Sequence, residues 1–515
     1  MMVGPRVDLE TRSVSGRRFW EHLRLFPPAL LNPLIWALPV QAVLLFWRLD
    51  LLDPWGDEWH TLRTVPQPLG EIASTLAGNI HPPLYFWLLH FWVQVPLAGT
   101  LLTKVRAMSA LWALLATVVL YSLWLRREHP RFQRIVLGLW VLCPSLLLYS
   151  RMARSYTMQL ALALIAIHAA VRWTERPRDW WWFVGYTISC ATLCYTHYLP
   201  GLAIMAAASL ILIVQKRFMA VAASAAVVTM LYLPWLATFR LALSNWTSSR
   251  PYRVGNFLAD QIVRLGYWFI SLSFGEALSD FSVVLAGLMT PVIVYSLWGA
   301  VRSRPSWLGL VTAAAGIGFV GVNRWSGFPF TPSHVLFALP FFLMLLVRGI
   351  DENFRRRSLA LLGIAVLYVS GAYNYFAKSG YLNPGYAMPN EEIAATIRNS
   401  SPGTGAVVVV DSSFAQPLLD RLGSSVARVI LLTGEESAET VRHELRQKPA
   451  IIWFCRRAHD TSSDGLVTRL ELELSQNRQV TQYGFSAYTI IQRLVLRWLR
   501  GPGQSAYSYR VLEVK

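Results

Sequence analysis

The stretch WGDEWH, Trp55 to His60, places two adjacent carboxylates, Asp57 and Glu58, shortly after an apolar run. That run, Pro28 to Trp47, is long enough to cross the hydrocarbon core of a bilayer, which takes about 20 helical residues. What the two carboxylates can do therefore depends on which side of a membrane they face.

Apolar runs of this kind recur along the chain as far as Phe376. Of the 515 residues, 54% are hydrophobic and 15% are charged. This composition predicts a mostly α-helical polytopic membrane protein. The formal net charge of +18 would favour a nucleic-acid partner in a soluble chain. Here the basic residues fall in short clusters between apolar runs, so they indicate topology, and we expect a lipid bilayer and no nucleic acid as partner.

The basic clusters assign a side to each loop. By the positive-inside rule they lie in the cytoplasm with the basic N-terminus. They occupy residues 126–134, 172–178, 216–217, 302–304 and 348–357. The segment from Arg48 to Pro82 instead carries more acids than arginines, so we expect it, with Asp57 and Glu58, on the non-cytoplasmic face of the cell (inner or plasma) membrane.

The run from His81 to Gly99 is apolar but is not expected to cross. If it crossed, the next segment would carry the cluster at 126–134 to the wrong face. Because it opens on Pro82-Pro83, it suits an interfacial helix instead. About 11 spans then remain. They are predicted at 28–47, 107–125, 132–149, 156–171, 180–197, 199–214, 218–239, 281–301, 306–323, 334–350 and 358–376.

The composition changes after Phe376. The apolar runs shorten to GAVVVVD (Gly405 to Asp411), RVILL (Arg428 to Leu432), AIIWFC (Ala450 to Cys455) and YTIIQRL (Tyr488 to Leu494). Amphipathic stretches such as SAETVRHELRQK separate them, which is typical of a small α/β domain. We therefore predict a cytoplasmic N-terminus (1–27), a transmembrane domain (28–376) and an extracytoplasmic α/β domain (377–515).

Several chemically capable side chains fall at the outer ends of the predicted spans. They are Asp57 and Glu58, His81 before the Pro-Pro pair, Arg154 and Tyr156 in YSRMARSY, His197 in YTHY, and Arg250 and Arg253 in SNWTSSRPYRVGN. Charge held near hydrocarbon is costly and usually functional. Arginine binds phosphate, and a carboxylate acts as a base toward a hydroxyl or holds a divalent metal. The set favours a substrate sugar carried on a lipid phosphate.

Three of these motifs, in order, resemble a known family. DEWH, HPPLYFWLLHFW and YSRMARSYTMQLALAL look like the integral-membrane GT-C glycosyltransferases of the protein O-mannosyltransferase and lipid A aminoarabinose transferase type, which belong with glycosyltransferase family 39. The similarity covers residues 25 to 240. It implies a GT-C fold, a polyprenyl-phosphate-linked sugar donor, and inverting transfer to an acceptor glycan, lipid or protein outside the cytoplasm.

The resemblance also implies roles for single residues. Asp57 would match the catalytic acid of the first outer loop, as base or orienter for the acceptor, with Glu58 as its partner. His81 would lie near the donor phosphate, and Arg154 with Tyr156 would match an aRxY element. The chain departs from the family at Arg151 and Met152, where many relatives have a Gln-Glu pair.

Other interpretations of the same residues remain open. Arg154 could be an interfacial anchor, His81 a helix cap, His197 a wet interfacial residue, and Arg250 and Arg253 loop charges. A lipid or sugar transporter or flippase is one rival function, which predicts charged or polar residues at mid-span. The spans from Ala107 onward are nearly free of them, and the exception, His168, lies near one end of its span. A catalytically silent scaffold of the same fold is another rival. No cofactor is certain: a divalent metal is possible, but one Asp-Glu pair supplies too few ligands to predict a metal site.

Overall fold

A computed structural model gives the architecture. It describes residues 32–78, 81–249, 257–303, 332–400, 407–411, 418, 421–423, 428–432, 435–447, 451–457, 469–470, 472–473, 476, 479–486, 488–500 and 509–514. The predicted N-terminal segment 1–27, the predicted span 306–323, and the candidates Arg250 and Arg253 lie outside these residues.

Helices account for nearly all of the described chain up to residue 376. The first eight are α1 (Leu34–Phe46), α2 (Gly56–Thr64), α3 (Leu69–Ala77), α4 (Leu84–Gln94), α5 (Leu101–Val119, continued by a π-helical turn Leu120–Leu125), α6 (Pro130–Leu142), α7 (Pro144–Ser150) and α8 (Tyr156–Glu175). The next seven are α9 (Trp180–Thr196), α10 (Tyr198–Val214), α11 (Phe218–Ser249), α12 (Phe257–Phe274), α13 (Asp280–Ser303), α14 (Leu339–Asn353, preceded by a 3₁₀ turn Pro332–Ala338) and α15 (Arg357–Phe376).

The prediction of a mostly helical, multi-pass membrane protein is confirmed. In the described chain, six helices are long and apolar enough to span a membrane, or seven if the bent pair α6 and α7 forms one span. This is fewer than the predicted number of about 11. Helices α1, α9 and α10 contain 13, 17 and 17 residues, and the predicted spans 28–47 and 306–323 lie partly or wholly outside the described residues.

Proline explains the bend between α6 and α7. The two helices meet at 52°, with Cys143 in an extended conformation between them. Pro144 lacks an N–H and disfavours a helical conformation for the residue before it. The short helix α7 then ends at Ser150, so the YSRMARSY motif continues as a loop beside the first loop.

Helix α4 follows the Pro-Pro pair as expected. Its 11 residues extend about 16 Å, roughly half the thickness of the hydrocarbon core. His90 Nδ1 lies 3.0 Å from the carbonyl oxygen of Val65, which ties α4 to the end of α2. A helix of this length fits the predicted interfacial position.

A mixed sheet forms the C-terminal part of the chain. Its elements are α16 (Asn390–Ser400), β1 (Val407–Asp411), β2 (Arg428–Leu432), α17 (Glu435–Gln447), β3 (Ile452–Arg457), β4 (Val480–Phe485), α18 (Ile490–Arg500) and β5 (Tyr509–Val514). The strand order is β2-β1-β3-β5-β4. Strand β1 pairs in parallel with β2 and β3, and β5 pairs antiparallel with β3 and β4. Three of the four predicted apolar runs are strands.

The fourth run, YTIIQRL, is not a strand but the beginning of α18. Thr489 N–H donates to Gln492 Oε1 at 2.9 Å, and Gln492 N–H donates to Thr489 Oγ1 at 3.4 Å. This reciprocal pair is a capping box, which starts a helix. The local cap therefore outweighs the β-branched Ile-Ile pair that favoured a strand.

The C-terminal part of the chain contacts the first loop at Asp53. Arg421 Nη2 lies 2.7 Å from Asp53 Oδ1, and Asn390 Nδ2 donates to Asp53 Oδ2 at 2.8 Å. The other arm of the same guanidinium, Nη1, is 2.8 Å from Glu391 Oε2. The loop that carries the DEWH motif is thus braced from residues more than 300 positions later in the sequence.

Candidate active site

The first loop turns Asp57 and Glu58 in different directions. Helix α2 begins at Gly56, after Trp55 in an extended conformation, and both acids lie in its first turn, where the helix dipole favours negative charge. Consecutive helical residues project about 100° apart. The side chain of Glu58 is only 1% exposed, whereas that of Asp57 is 41% exposed.

Glu58 forms a buried, bidentate ion pair with Arg106 of α5. Arg106 Nε donates to Glu58 Oε1 at 2.9 Å, and Nη2 donates to Oε2 at 2.8 Å. The backbone N–H of Ala153 also donates to Glu58 Oε1 at 2.7 Å. Because both carboxylate oxygens already accept hydrogen bonds, Glu58 is suited to hold the two loops together rather than to take a proton from a substrate.

Arg106 was missed by the sequence analysis. The predicted span began at residue 107, but α5 begins at Leu101 and includes Arg106, whose side chain is 2% exposed. Its Nη1 also donates to the carbonyl oxygens of Leu49 and Leu52, at 3.0 and 2.8 Å. An arginine one turn inside an apolar helix was the available signal, since such a residue needs a partner.

Arg154 lies beside Asp57 in the loop between α7 and α8. Its Nη2 is 3.6 Å from Asp57 Oδ2, and its Nη1 is 3.4 Å from both the Asp57 carbonyl oxygen and Thr61 Oγ1. Burial lowers the pKa of Arg154, but the Asp57 carboxylate and Tyr156 raise it, and the net direction is upward. The guanidinium is therefore a permanent cation, 4% exposed.

His81 contacts the same guanidinium nitrogen, Nη2, that faces the Asp57 carboxylate. Its Nε2 is 3.2 Å from Arg154 Nη2, and its ring centroid is 5.5 Å from that of His60. Burial, followed by the charge of Arg154, lowers the pKa of His81 well below 6.5. Burial and Arg154 also lower the pKa of His60. Both imidazoles are therefore neutral at pH 7, so each can donate one hydrogen bond without adding charge.

Two further histidines complete the cluster. The rings of His197 and His334 lie 5.0 Å apart, and the ring of His334 is 6.2 Å from that of Tyr156. Both histidines lie close enough to Arg154 for an electrostatic interaction with its positive charge. The structure thus brings five of the candidates together, Asp57, His81, Arg154, Tyr156 and His197, while Glu58 lies behind them in its ion pair. His60 and His334 were not predicted, although His60 is part of the WGDEWH motif itself.

The lowered pKa values of His81 and His60 predict that acid destabilises the folded chain. Unfolded histidines bind protons near pH 6.5, whereas folded His81 and His60 do so only at lower pH, so stability is complete above pH 6.5 and falls as the pH drops below it. We expect the thermal unfolding midpoint of the detergent-solubilised protein to fall between about pH 7 and 5. The fall should be shallower in His81→Gln and unchanged in His443→Gln, an exposed histidine of α17. An equal slope in wild type and His81→Gln would contradict this account.

Arg151, the departure from the family pattern, has a structural role. Its Nη1 donates to the carbonyl oxygens of Leu44 and Trp47 at 2.6 and 2.9 Å, and its Nη2 donates to that of Arg48. These carbonyls lie at the C-terminal end of α1, where a cation is favourable. The guanidinium also stacks on Tyr375 at 5.0 Å. Arg151 therefore fastens α1 to the loop that carries Arg154.

The described residues contain no group of three or more His, Cys, Asp or Glu side chains that could hold a metal ion.

The whole fold matches a solved structure. ArnT from Cupriavidus metallidurans in the apo state superposes with a TM-score of 0.50 at 13% sequence identity, over 97% of this chain and 98% of that chain. The chain shares the fold of ArnT. The GT-C fold that the three motifs implied is therefore confirmed, as a likeness of fold.

Two other matches are weaker. ArnT bound to undecaprenyl phosphate gives a TM-score of 0.49 at 13% identity, over 93% of this chain and 97% of that one. The archaeal oligosaccharyltransferase AglB from Archaeoglobus fulgidus, in complex with an inhibitory peptide and a dolichol-phosphate, gives 0.48 at 12%, over 91% and 73%. No protein-family model and no curated protein sequence matches the chain.

Proposed function

We propose that this protein is a membrane glycosyltransferase that moves a sugar from a polyprenyl-phosphate donor to an acceptor on the non-cytoplasmic face. One arrangement carries the proposal: Nη2 of buried Arg154 lies 3.6 Å from Asp57 Oδ2 and 3.2 Å from His81 Nε2. A group that can accept a proton and a group that can bind an anion thus share one site. The ArnT-like fold supports the same conclusion.

Each residue then has a defined task. Asp57 accepts the proton of the acceptor hydroxyl as the oxygen attacks the anomeric carbon of the sugar. The bond between that carbon and the phosphate oxygen breaks, and the electron pair stays on the departing polyprenyl phosphate. Arg154 stabilises this charge with paired N–H groups, because the guanidinium fork matches phosphate oxygens.

His81 adds a hydrogen bond to the phosphate. Since burial keeps its imidazole neutral, it strengthens the contact without a second fixed cation beside Arg154. Glu58 and Arg106 act as positioning residues, since their ion pair joins the α2 helix to Ala153, the neighbour of Arg154. We likewise propose that residues 28–376 form the catalytic membrane domain, that residues 377–515 form an outer domain, and that the first loop faces away from the cytoplasm.

A transfer assay tests the proposal. The purified full-length chain is placed in proteoliposomes with radiolabelled sugars on undecaprenyl phosphate, the lipid seen in ArnT, and with candidate glycan, lipid and peptide acceptors. An enzyme moves the label from the lipid donor into a new covalent product. A flippase moves the labelled donor across the bilayer with its bond intact, and a silent scaffold does neither; either outcome would overturn the proposal.

Arg154→Gln is expected to reduce kcat/KM by about 10²- to 10³-fold, the usual cost of losing one group that stabilises transition-state charge. Arg154→Lys should restore part of the rate, because it keeps the charge but not the fork. Arg63→Gln, which replaces an exposed arginine in the last turn of α2, serves as the control. Wild-type transfer by Arg154→Gln would remove Arg154 from the site.

A further inference from the structure

Helix α18 is cationic and amphipathic. Its sequence, IIQRLVLRWLR, contains three arginines and no acid. Ile490, Arg493, Leu494 and Arg497 are spaced three and four residues apart, so two apolar and two cationic side chains share one side of the helix. A helix of this composition is typical of one that lies in the plane of a membrane surface.

The helix begins at the end of a membrane span. The backbone N–H of Ile491 donates to Asp280 Oδ1 at 2.9 Å. Asp280 is also the first residue of α13, whose segment Asp280–Arg302 can cross a membrane. One carboxylate thus serves the N-terminal ends of two helices, where negative charge is favourable.

A second span ends at the same place. The buried side chain of Gln492 donates from Nε2 to the carbonyl oxygens of Leu278 and Gly380, at 3.3 and 3.0 Å. Gly380 follows α15, which ends at Phe376. Since α13 begins and α15 ends beside α18, α18 lies at the level where these two spans leave the bilayer.

Large apolar side chains of α18 are exposed at this level. Ile490 is 61% and Leu494 58% exposed, and on the adjoining spans Phe281 is 62% and Tyr373 72% exposed. Because Phe281 and Tyr373 belong to candidate membrane spans, we expect their exposed side chains to face lipid. The exposed apolar residues of α18 therefore continue a surface that already meets lipid.

We propose that α18 is an in-plane anchor that binds the anionic lipid surface at the outer ends of α13 and α15. Ile490 and Leu494 enter the boundary between headgroups and acyl chains, while Arg493 and Arg497 contact lipid phosphates. The helix connects β4 to β5, two strands paired in the C-terminal sheet. The anchor thereby holds the sheet close to the membrane, independently of any catalytic role.

Depth-dependent quenching tests the anchor in the full-length chain. Leu494→Cys is labelled with a fluorophore and reconstituted in nanodiscs with or without bromine on the lipid acyl chains. The native cysteines in the described chain are buried, and labelling of wild type gives their background. We expect brominated lipid to lower the fluorescence at position 494 by about twofold or more. A label at Glu439→Cys, on the 66% exposed side chain in α17, should not respond.

Lipid charge tests the arginines. Quenching at position 494 should be stronger in nanodiscs of phosphatidylcholine with phosphatidylglycerol than in phosphatidylcholine alone. The double substitution Arg493→Gln with Arg497→Gln should remove that difference. Equal quenching of the wild-type helix in both lipids would overturn the anionic preference. A label that brominated lipid leaves unquenched would overturn the anchor; its protection from aqueous iodide would then indicate a protein partner instead.

Discussion

Glu58→Gln is expected to destabilise the folded protein by about 3–5 kcal/mol, the cost of leaving one member of a buried ion pair alone. Arg106 would remain 2% exposed without a counter-charge, and the new amide N–H groups would face its guanidinium. Two N–H groups cannot satisfy each other. The measurement is the unfolding midpoint of the detergent-solubilised full-length chain, with Glu71→Gln, an exposed acid of α3, as the control.

A double variant separates charge from shape. In Glu58→Gln with Arg106→Met, no unpaired charge is left in the interior, so part of the lost stability should return. Recovery will be incomplete, because Arg106 also binds the carbonyls of Leu49 and Leu52. If Glu58→Gln alone matched the wild type in stability, the ion pair would not be the clamp that we describe.

Asp57→Asn should have the opposite signature. We expect it to lower kcat for sugar transfer by about 10²- to 10⁴-fold, the usual range for loss of a general base. The unfolding midpoint should change little, because the side chain is 41% exposed and its contact with Arg154 is 3.6 Å long. Transfer of labelled sugar in proteoliposomes, at equal protein level, provides the measurement.

Asp50→Asn is the matched control for this variant, since it removes an exposed carboxylate from the same loop. It should leave transfer unchanged. Full activity in Asp57→Asn would show that Asp57 only favours the start of α2. Asp57 and Glu58 would then differ in burial, and neither would act as a base in the transfer reaction.

Motif order predicted the members of the cluster but not all of its contacts. Asp57, His81 and Arg154 were found because each belongs to a short motif at the end of an apolar run. The Glu58–Arg106 pair joins residues 48 positions apart, and no periodicity reports such a contact. Arg106 was also placed outside its helix. The uninterrupted hydrophobic run begins after this charge, at residue 107, whereas the helix begins before it, at Leu101.

Hydrophobicity located several elements closely. The runs 180–197 and 199–214 match α9 (Trp180–Thr196) and α10 (Tyr198–Val214) to within one residue at each end. The apolar run YTIIQRL did not by itself indicate the helix α18, whose start depends on the capping box formed by Thr489 and Gln492. Hydrophobicity located this segment correctly, whereas the side-chain hydrogen bonds at its start determined that it became a helix.

The brace on Asp53 has a consequence for biosynthesis. Asp53 and Arg421 are 368 positions apart, so at about 5–20 residues per second the first loop leaves the ribosome roughly 20–70 s before its partner exists. During that interval the contacts of the loop with Arg106, Ala153 and Arg154 can already form, but the brace cannot. The first loop therefore receives its brace only after Arg421 has been made, long after the rest of its contacts.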